Sequence, residues 1–201
     1  NLLGFGTQFL DAQLDGQPDL VVANGHVDDY TYKGTPFQMR PQYLGNVGGT
    51  YLDQGEGAGD YFGRKLLGRG LSVGDLDRDG MPDFIVSHLD APVAVLVNDT
   101  PEAGNYLAIQ LRGRSIQRDA IGARVSVTIG GDNPRELVRQ LTAGDGYLAS
   151  NQRQLLIGLG DDRQVEKVQV TWVNGMVDSY DSVPVNCQLM VIEGDPEFHL
   201  L

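Results

Sequence analysis

Short runs of β-branched and aromatic residues, each closed by Gly, Pro, Asn or Asp, recur along the chain and predict strands. Residues 7–10 and 20–23, and again 71–74 and 84–88, flank two related acidic turns, Gly16-Gln17-Pro18-Asp19 and Gly80-Met81-Pro82-Asp83. Residues 42–44 and 50–52 bracket Asn46-Val47-Gly48-Gly49, a glycine-rich reversal suited to a hairpin. After Val93-Ala94-Val95-Leu96-Val97 comes Asp99-Thr100-Pro101-Glu102-Ala103-Gly104-Asn105, polar and broken by proline and glycine, which places a domain boundary there. Beyond it residues 106–111, 123–129 and 168–172 alternate apolar with polar and end at turn signals such as Gly130-Gly131 and Asn174-Gly175. Residues 135–141 and Glu166-Lys167 have some helical character, but glycine-bounded strands surround them, and strand is expected there too. The fold class predicted is all-β.

The pattern repeats. Residues 4–22 superpose without gaps on residues 68–86 at an offset of 64, with eight of 19 positions identical: three glycines, three aspartates, a proline and a valine. These are backbone-shaping or metal-capable residues rather than generic core, and each unit reads as strand, acidic turn, strand. With the hairpin that follows, each unit has about four strands, which is what a β-propeller blade requires. Residues 1–99 are therefore expected to form two propeller-type blades, a partial propeller. Residues 104–194 are expected to form a β-sandwich-like domain, with 195–201 as a disordered tail. Two blades cannot close a ring, so the chain is expected to be the end of a longer propeller protein. Asn1 stands almost against the first motif, which fits processing or excision from a longer polypeptide with export signals upstream.

Composition narrows the partners. The 201 residues are 41% hydrophobic, enough for one large core or two smaller ones, and the 27 glycines suit a turn-dense fold. A formal charge of −12 opposes docking onto nucleic acid or an anionic membrane surface. No apolar run approaches a membrane span, so no membrane insertion is expected. The single Cys187 rules out an intrachain disulfide and a cysteine-based zinc site, and is expected to be a small buried hydrophobe. Acid is carried by 21 aspartates against six glutamates, and the short carboxylate favours turns and tight oxygen cages.

Those aspartates converge on the two turns. Asp75, Asp77, Asp79 and Asp83 occupy loop positions 1, 3, 5 and 9, with Gly80 at position 6 and Met81 placed to offer its backbone carbonyl from position 7. Four carboxylates this close repel one another and raise their own pKa values unless a cation enters. Calcium accepts six to eight oxygens, carboxylate and carbonyl alike, and is the expected cofactor. An EF-hand would need Glu at position 12 and a following helix, whereas position 12 is Val86 in a strand-like run. The first copy keeps Asp11, Asp15, Gly16 and Asp19, with Gln13 at position 3 and Gln17 at the carbonyl position. It is expected either to bind calcium through a neutral ligand or to survive as a turn.

Leu10-Asp11-x-x-x-Asp15-Gly16-x-x-Asp19-Leu20 and Val73-Gly74-Asp75-Leu76-Asp77-Arg78-Asp79-Gly80-x-x-Asp83 resemble the FG-GAP/VCBS repeat of integrin-α-type propellers. Arg118-Asp119-Ala120-Ile121-Gly122-Ala123-Arg124-Val125, Gly144-Asp145-Gly146-Tyr147-Leu148 and Ile157-Gly158-Leu159-Gly160 resemble the ASPIC/UnbV domain. That domain follows such repeats in bacterial secreted proteins and in the cartilage acidic protein family. Val173 departs from the proline usual after the tryptophan, and Gln13 replaces an acidic ligand. The resemblance implies an extracellular or periplasmic module that recognises a protein or polysaccharide and has no established catalytic residues. The alternative is the C-terminal part of a secreted polysaccharide-acting or biosynthetic enzyme whose active site lies mostly outside this chain. No H-E-x-x-H or P-loop occurs. His26 and His88 each follow a loop strand and are candidates for a shared metal or acid/base site, while Arg112, Arg114, Arg118 and Arg124 are candidates for a small anion- or glycan-binding patch. Asn98-Asp99-Thr100 fits the glycosylation pattern, although Pro101 follows.

Overall fold

The computed structural model describes residues 2–131 and 134–201. Its first 53 residues hold a four-stranded antiparallel meander in the order β1 (Gly4–Leu10), β2 (Asp19–Asn24), β3 (Gln42–Val47) and β4 (Thr50–Asp53). Gly48 and Gly49 take φ values of 59° and 86°, the left-handed pair that a two-residue hairpin turn needs between β3 and β4. A second sheet follows in the order β5 (Gly68–Gly74), β6 (Asp83–His88) and β7 (Ala94–Leu96).

The internal repeat extends to register. Thr7 pairs with Val22 and Leu71 with Val86, and both units carry a bulge, between Gly4 and Thr7 and between Gly68 and Leu71. The two sheets pack through β1 and β5. A Cβ on Gly6 would stand 2.5 Å from the Arg69 carbonyl oxygen, so only glycine admits this approach. Leu10, Val21, Ala23, Tyr43, Phe62, Leu71 and Val86 form the shared core, Phe62 being delivered by a 3-10 turn at Asp60–Gly63. The second unit has three strands where four were expected. No glycine pair follows β7; instead the Asn98 N–H donates to Asp83 Oδ1 at 2.8 Å and its Nδ2 to the Ala12 carbonyl at 3.0 Å, leading the chain away. The glycosylation-type nitrogen of Asn98 is thus spent inside the fold.

The C-terminal half is a sandwich of two four-stranded sheets. One has the order β10 (Arg135–Gln140), β9 (Arg124–Ile129), β12 (Val165–Thr171) and β13 (Val177–Val183). The other has β11 (Leu155–Gly160), β8 (Asn105–Arg112), β14 (Cys187–Ile192) and β15 (His199–Leu200). Inward residues Leu107, Ile109, Val125, Val127, Ile157, Leu159, Val168, Val170 and Leu189 fill the space between them, with Trp172 among them donating its Nε1–H to Asp178 at 2.6 Å. Among the described residues all pairings are antiparallel except β8 with β14, which run parallel from Leu107↔Cys187 to Arg112↔Ile192. Cys187 is half-buried at this edge of the core.

The segment expected as a disordered tail is ordered: Leu200 pairs with Leu189 and His199 with Met190. Asp195 sets the turn by accepting the Glu197 N–H, and Phe198 packs edge-on against Tyr180 at 6.0 Å, which supplies the burial that holds a two-residue strand.

Just before this turn Glu193, 3% exposed, accepts the N–H groups of Arg114 and Ser115 at 2.7 Å each and that of Ile116 at 3.3 Å. The Ser115 hydroxyl and Asn174 Nδ2 also donate to it. Hydrogen bonding, from the Ser115 hydroxyl first, pulls its pKa down to about 2 from 4.5. A depressed folded-state pKa stabilises the fold above the unfolded value and loses that contribution as pH falls from about 4.5 towards 2. Glu193→Gln is therefore expected to melt lower than the wild type at pH 7 and to lose less of its melting temperature between pH 5 and pH 3, both read by circular dichroism.

Candidate metal centre

β5 and β6 place the Asp75 loop at the end of the second sheet. Arg78 and Gly80 lie in the left-handed region at φ 66° and 87°, curling the loop so that Asp83 returns beside Asp75. Asp83 is fully buried and fixed: Oδ2 accepts the Leu76 N–H and Oδ1 the Asn98 N–H, both at 2.8 Å. Asp75 Oδ2 accepts the Gly80 N–H at 3.2 Å, while Asp75 Oδ1 is buried with no hydrogen-bond partner. Asp75, Asp77 and Asp83 each offer a carboxylate oxygen within 4.8 Å of the other two. Asp79 stands beside this group with Oδ1 on the Met81 N–H at 2.8 Å.

Electrostatics follow from that crowding. Burial, then the charges of Asp79 and Asp83, push the Asp75 carboxyl up, and burial with the charges of Asp77 and Asp83 does the same to Asp79. A raised carboxyl pKa favours the fold at low pH and opposes it as pH rises; a divalent cation removes the same repulsion at neutral pH. The Asp75 oxygen is buried without a hydrogen bond, although the backbone N–H groups of Gly80 and Arg78 oppose the upward shift of its carboxyl, and three hard oxygens around one point suit calcium. On this chemistry the residues fit the cation.

The first loop repeats the backbone with a different side-chain outcome. Leu14 and Gly16, at φ 57° and 88°, match Arg78 and Gly80. Asp11, however, has both oxygens engaged, by the Asp15 N–H at 2.9 Å and the Gly16 N–H at 2.8 Å. Asp19 accepts from Ala12 N, the Tyr43 hydroxyl and Asn46 N, and Asp15 accepts from Gln17. Gln13 donates its amide to the Tyr43 oxygen at 2.8 Å. Among the described residues, Asp11, Asp15 and Asp19 do not form a convergent group of the kind made by Asp75, Asp77 and Asp83.

The two histidines have separate partners: His26 Nδ1 accepts the Asp28 N–H, while His88 pairs through Nε2 with the Tyr61 hydroxyl at 2.9 Å. Of the arginines, Arg114 meets Asp195 at 3.2 Å, and Arg112 and Arg118 line a shallow hollow with Asp119 and Arg153.

The C-terminal half meets both loops, which motif reading missed. Gln152 Oε1 accepts the Asp75 N–H at 2.8 Å, and the Gln152 N–H donates to the Val73 carbonyl at 3.0 Å. Tyr106 lies against Gly80 so closely that a Cβ there would stand 2.1 Å from the ring Cζ. On the other loop, Gly160 N donates to the Leu14 carbonyl at 2.7 Å, and Arg139 Nη2 to that of Gly16 at 3.2 Å. A cleft of about 520 Å³ opens between the halves, with Asp11 and Asp75 in its lining.

Fold and site define an all-β chain of two meander sheets, each bearing an aspartate loop and the second a convergent carboxylate group, docked on a β-sandwich. Residues 113–197, within the sandwich, match the protein-family model described as ASPIC and UnbV. The chain is also similar to cartilage acidic protein 1 of Mus musculus, with 32% identity over 124 residues, 60% of this chain and 19% of the mouse protein. It spans about a fifth of that relative's length.

Proposed function

We propose that this chain is a calcium-stabilised, non-catalytic recognition module that acts outside the cytoplasm on a protein or polysaccharide ligand. In this reading residues 1–99 are two FG-GAP/VCBS-type propeller blades, residues 104–194 are an ASPIC/UnbV-type domain, and calcium sits among Asp75, Asp77 and Asp83, with Asp79 and the Met81 carbonyl as further ligands. The observation that carries it is the buried Asp75 Oδ1 without a donor inside a group of three convergent carboxylates. The ASPIC and UnbV match and a relative named as an acidic protein of cartilage support the same reading. No described helix is long and apolar enough to cross a membrane.

Calcium at about 100 times its Kd is expected to stabilise the fold by about 2.7 kcal/mol relative to chelator, raising the melting temperature by about 5–10 °C for a chain of this size. Asp77→Ala is expected to abolish that rise and Asp15→Ala to leave it. Identical melts of the wild type in calcium and in chelator overturn the metal assignment. A glycan and protein array probed with and without calcium then names the ligand class.

A further inference from the structure

The two aspartate loops are fastened to the C-terminal half by different means. The Asp11 loop offers three backbone carbonyls to the C-terminal half: Gly160 N donates to Leu14 O at 2.7 Å, Gly104 N to Gln13 O at 2.8 Å and Arg139 Nη2 to Gly16 O at 3.2 Å. Gly158 closes this contact, since a Cβ there would stand 2.2 Å from Asp11 Oδ2. The Asp75 loop is touched at two points, its own Asp75 N–H, taken by Gln152, and Gly80, covered by the Tyr106 ring. Both points are tied to one carboxylate. Asp75 Oδ2 accepts the Gly80 N–H, and Oδ1 of the same group has no donor. Whatever fixes the Asp75 side chain therefore fixes the surface that Tyr106 and Gln152 grip.

We propose that the Asp75 loop is a cation-responsive clasp between the halves, with Tyr106 and Gln152 acting as positioning residues for the metal from the far side of the interface. The inference rests on the calcium reading of this loop. Coupling is reciprocal: if the cation tightens docking, loosening the docking weakens the cation by the same factor. The Asp11 loop, where both Asp11 oxygens already accept backbone N–H groups, is the internal control.

The test uses the whole chain. Calcium titrated calorimetrically into the wild type is expected to bind at this site, and Gln152→Ala to weaken its affinity about tenfold. Tyr106→Leu, which removes the ring from Gly80, is expected to act in the same direction, and Gln152→Glu, which keeps an acceptor for the Asp75 N–H, to retain tight binding. Hydrogen exchange supplies an affinity-independent readout: calcium slows the Gln152 amide about tenfold and leaves the Gly160 amide unchanged. If the wild type binds calcium but the Gln152 amide exchanges equally with and without it, and both weakening variants titrate like the wild type, the clasp is overturned while the metal site stands. If the wild type binds no calcium, the metal reading itself fails and the clasp falls with it.

Discussion

Alanine at position 83 is expected to destabilise the protein by about 3 kcal/mol even in chelator, because two partly buried N–H groups lose their carboxyl acceptor at once. Asp83 is fully buried and holds Leu76 N and Asn98 N at 2.8 Å each, so its carboxylate ties the start of the loop to the end of the second sheet whether or not a cation is present. For a chain of this length that loss lowers the melting temperature by about 10 °C. Asp77 is the contrast. Its one backbone contact, from Asp79 N, is long at 3.4 Å, so Asp77→Ala in chelator is expected to melt within about 2 °C of the wild type. Measured side by side in chelator, the two variants separate the structural duty of the loop from its metal duty. Equal melts for Asp83→Ala and the wild type would show that the buried carboxylate does not hold the loop.

A methyl group at Gly158 is expected to be as damaging. Its Cβ would stand 2.2 Å from Asp11 Oδ2, 2.4 Å from the Leu14 carbonyl carbon and 2.5 Å from Leu14 Cα, and backbone atoms cannot rotate away as a long side chain can. Relief requires β11 to back off from the first sheet, which breaks the Gly160-to-Leu14 bond and exposes Asp11. The cost is about 3 kcal/mol, the upper part of the range for overpacking. Gly57→Ala is the matched control, since nothing lies within 4 Å of a Cβ there, and it is expected to stay within about 0.5 kcal/mol of the wild type. Urea unfolding followed by the single Trp172 measures both.

Much of this architecture was legible in the sequence. Gly4, Asp11, Gly16 and Asp19 recur 64 residues later, and because turn glycines and aspartates dictate φ and local hydrogen bonding, the copy reproduces β-pairing, bulge and left-handed turn together. The apolar alternation likewise marks β9 and β12 as strands with one face on the core. What escaped depends on tertiary partners. The Nε2 of Gln13 donates to the Tyr43 hydroxyl from β3, a contact that no local pattern announces. Tyr106 and Gln152 carry no motif; their roles arise from Gly80 and Asp75 lying opposite them after docking. The tail reads as disordered, but Phe198 packs against the sandwich core and His199 and Leu200 pair with the edge of β14. Glu193 looks like a surface acid until the 114–116 backbone closes over it.

The parallel pairing of β8 with β14 orders events during synthesis. β8 lies between β11 and β14 in its sheet, and its partner at Cys187–Ile192 is made some 80 residues after it. On the ribosome the sandwich cannot close until Cys187–Ile192 has emerged, whereas the first meander, built from neighbouring hairpins, can assemble as soon as β4 is clear of the exit tunnel. Refolding from denaturant should accordingly show a fast phase from the N-terminal sheets and a slower one, reported by Trp172, as the last long strand finds its slot.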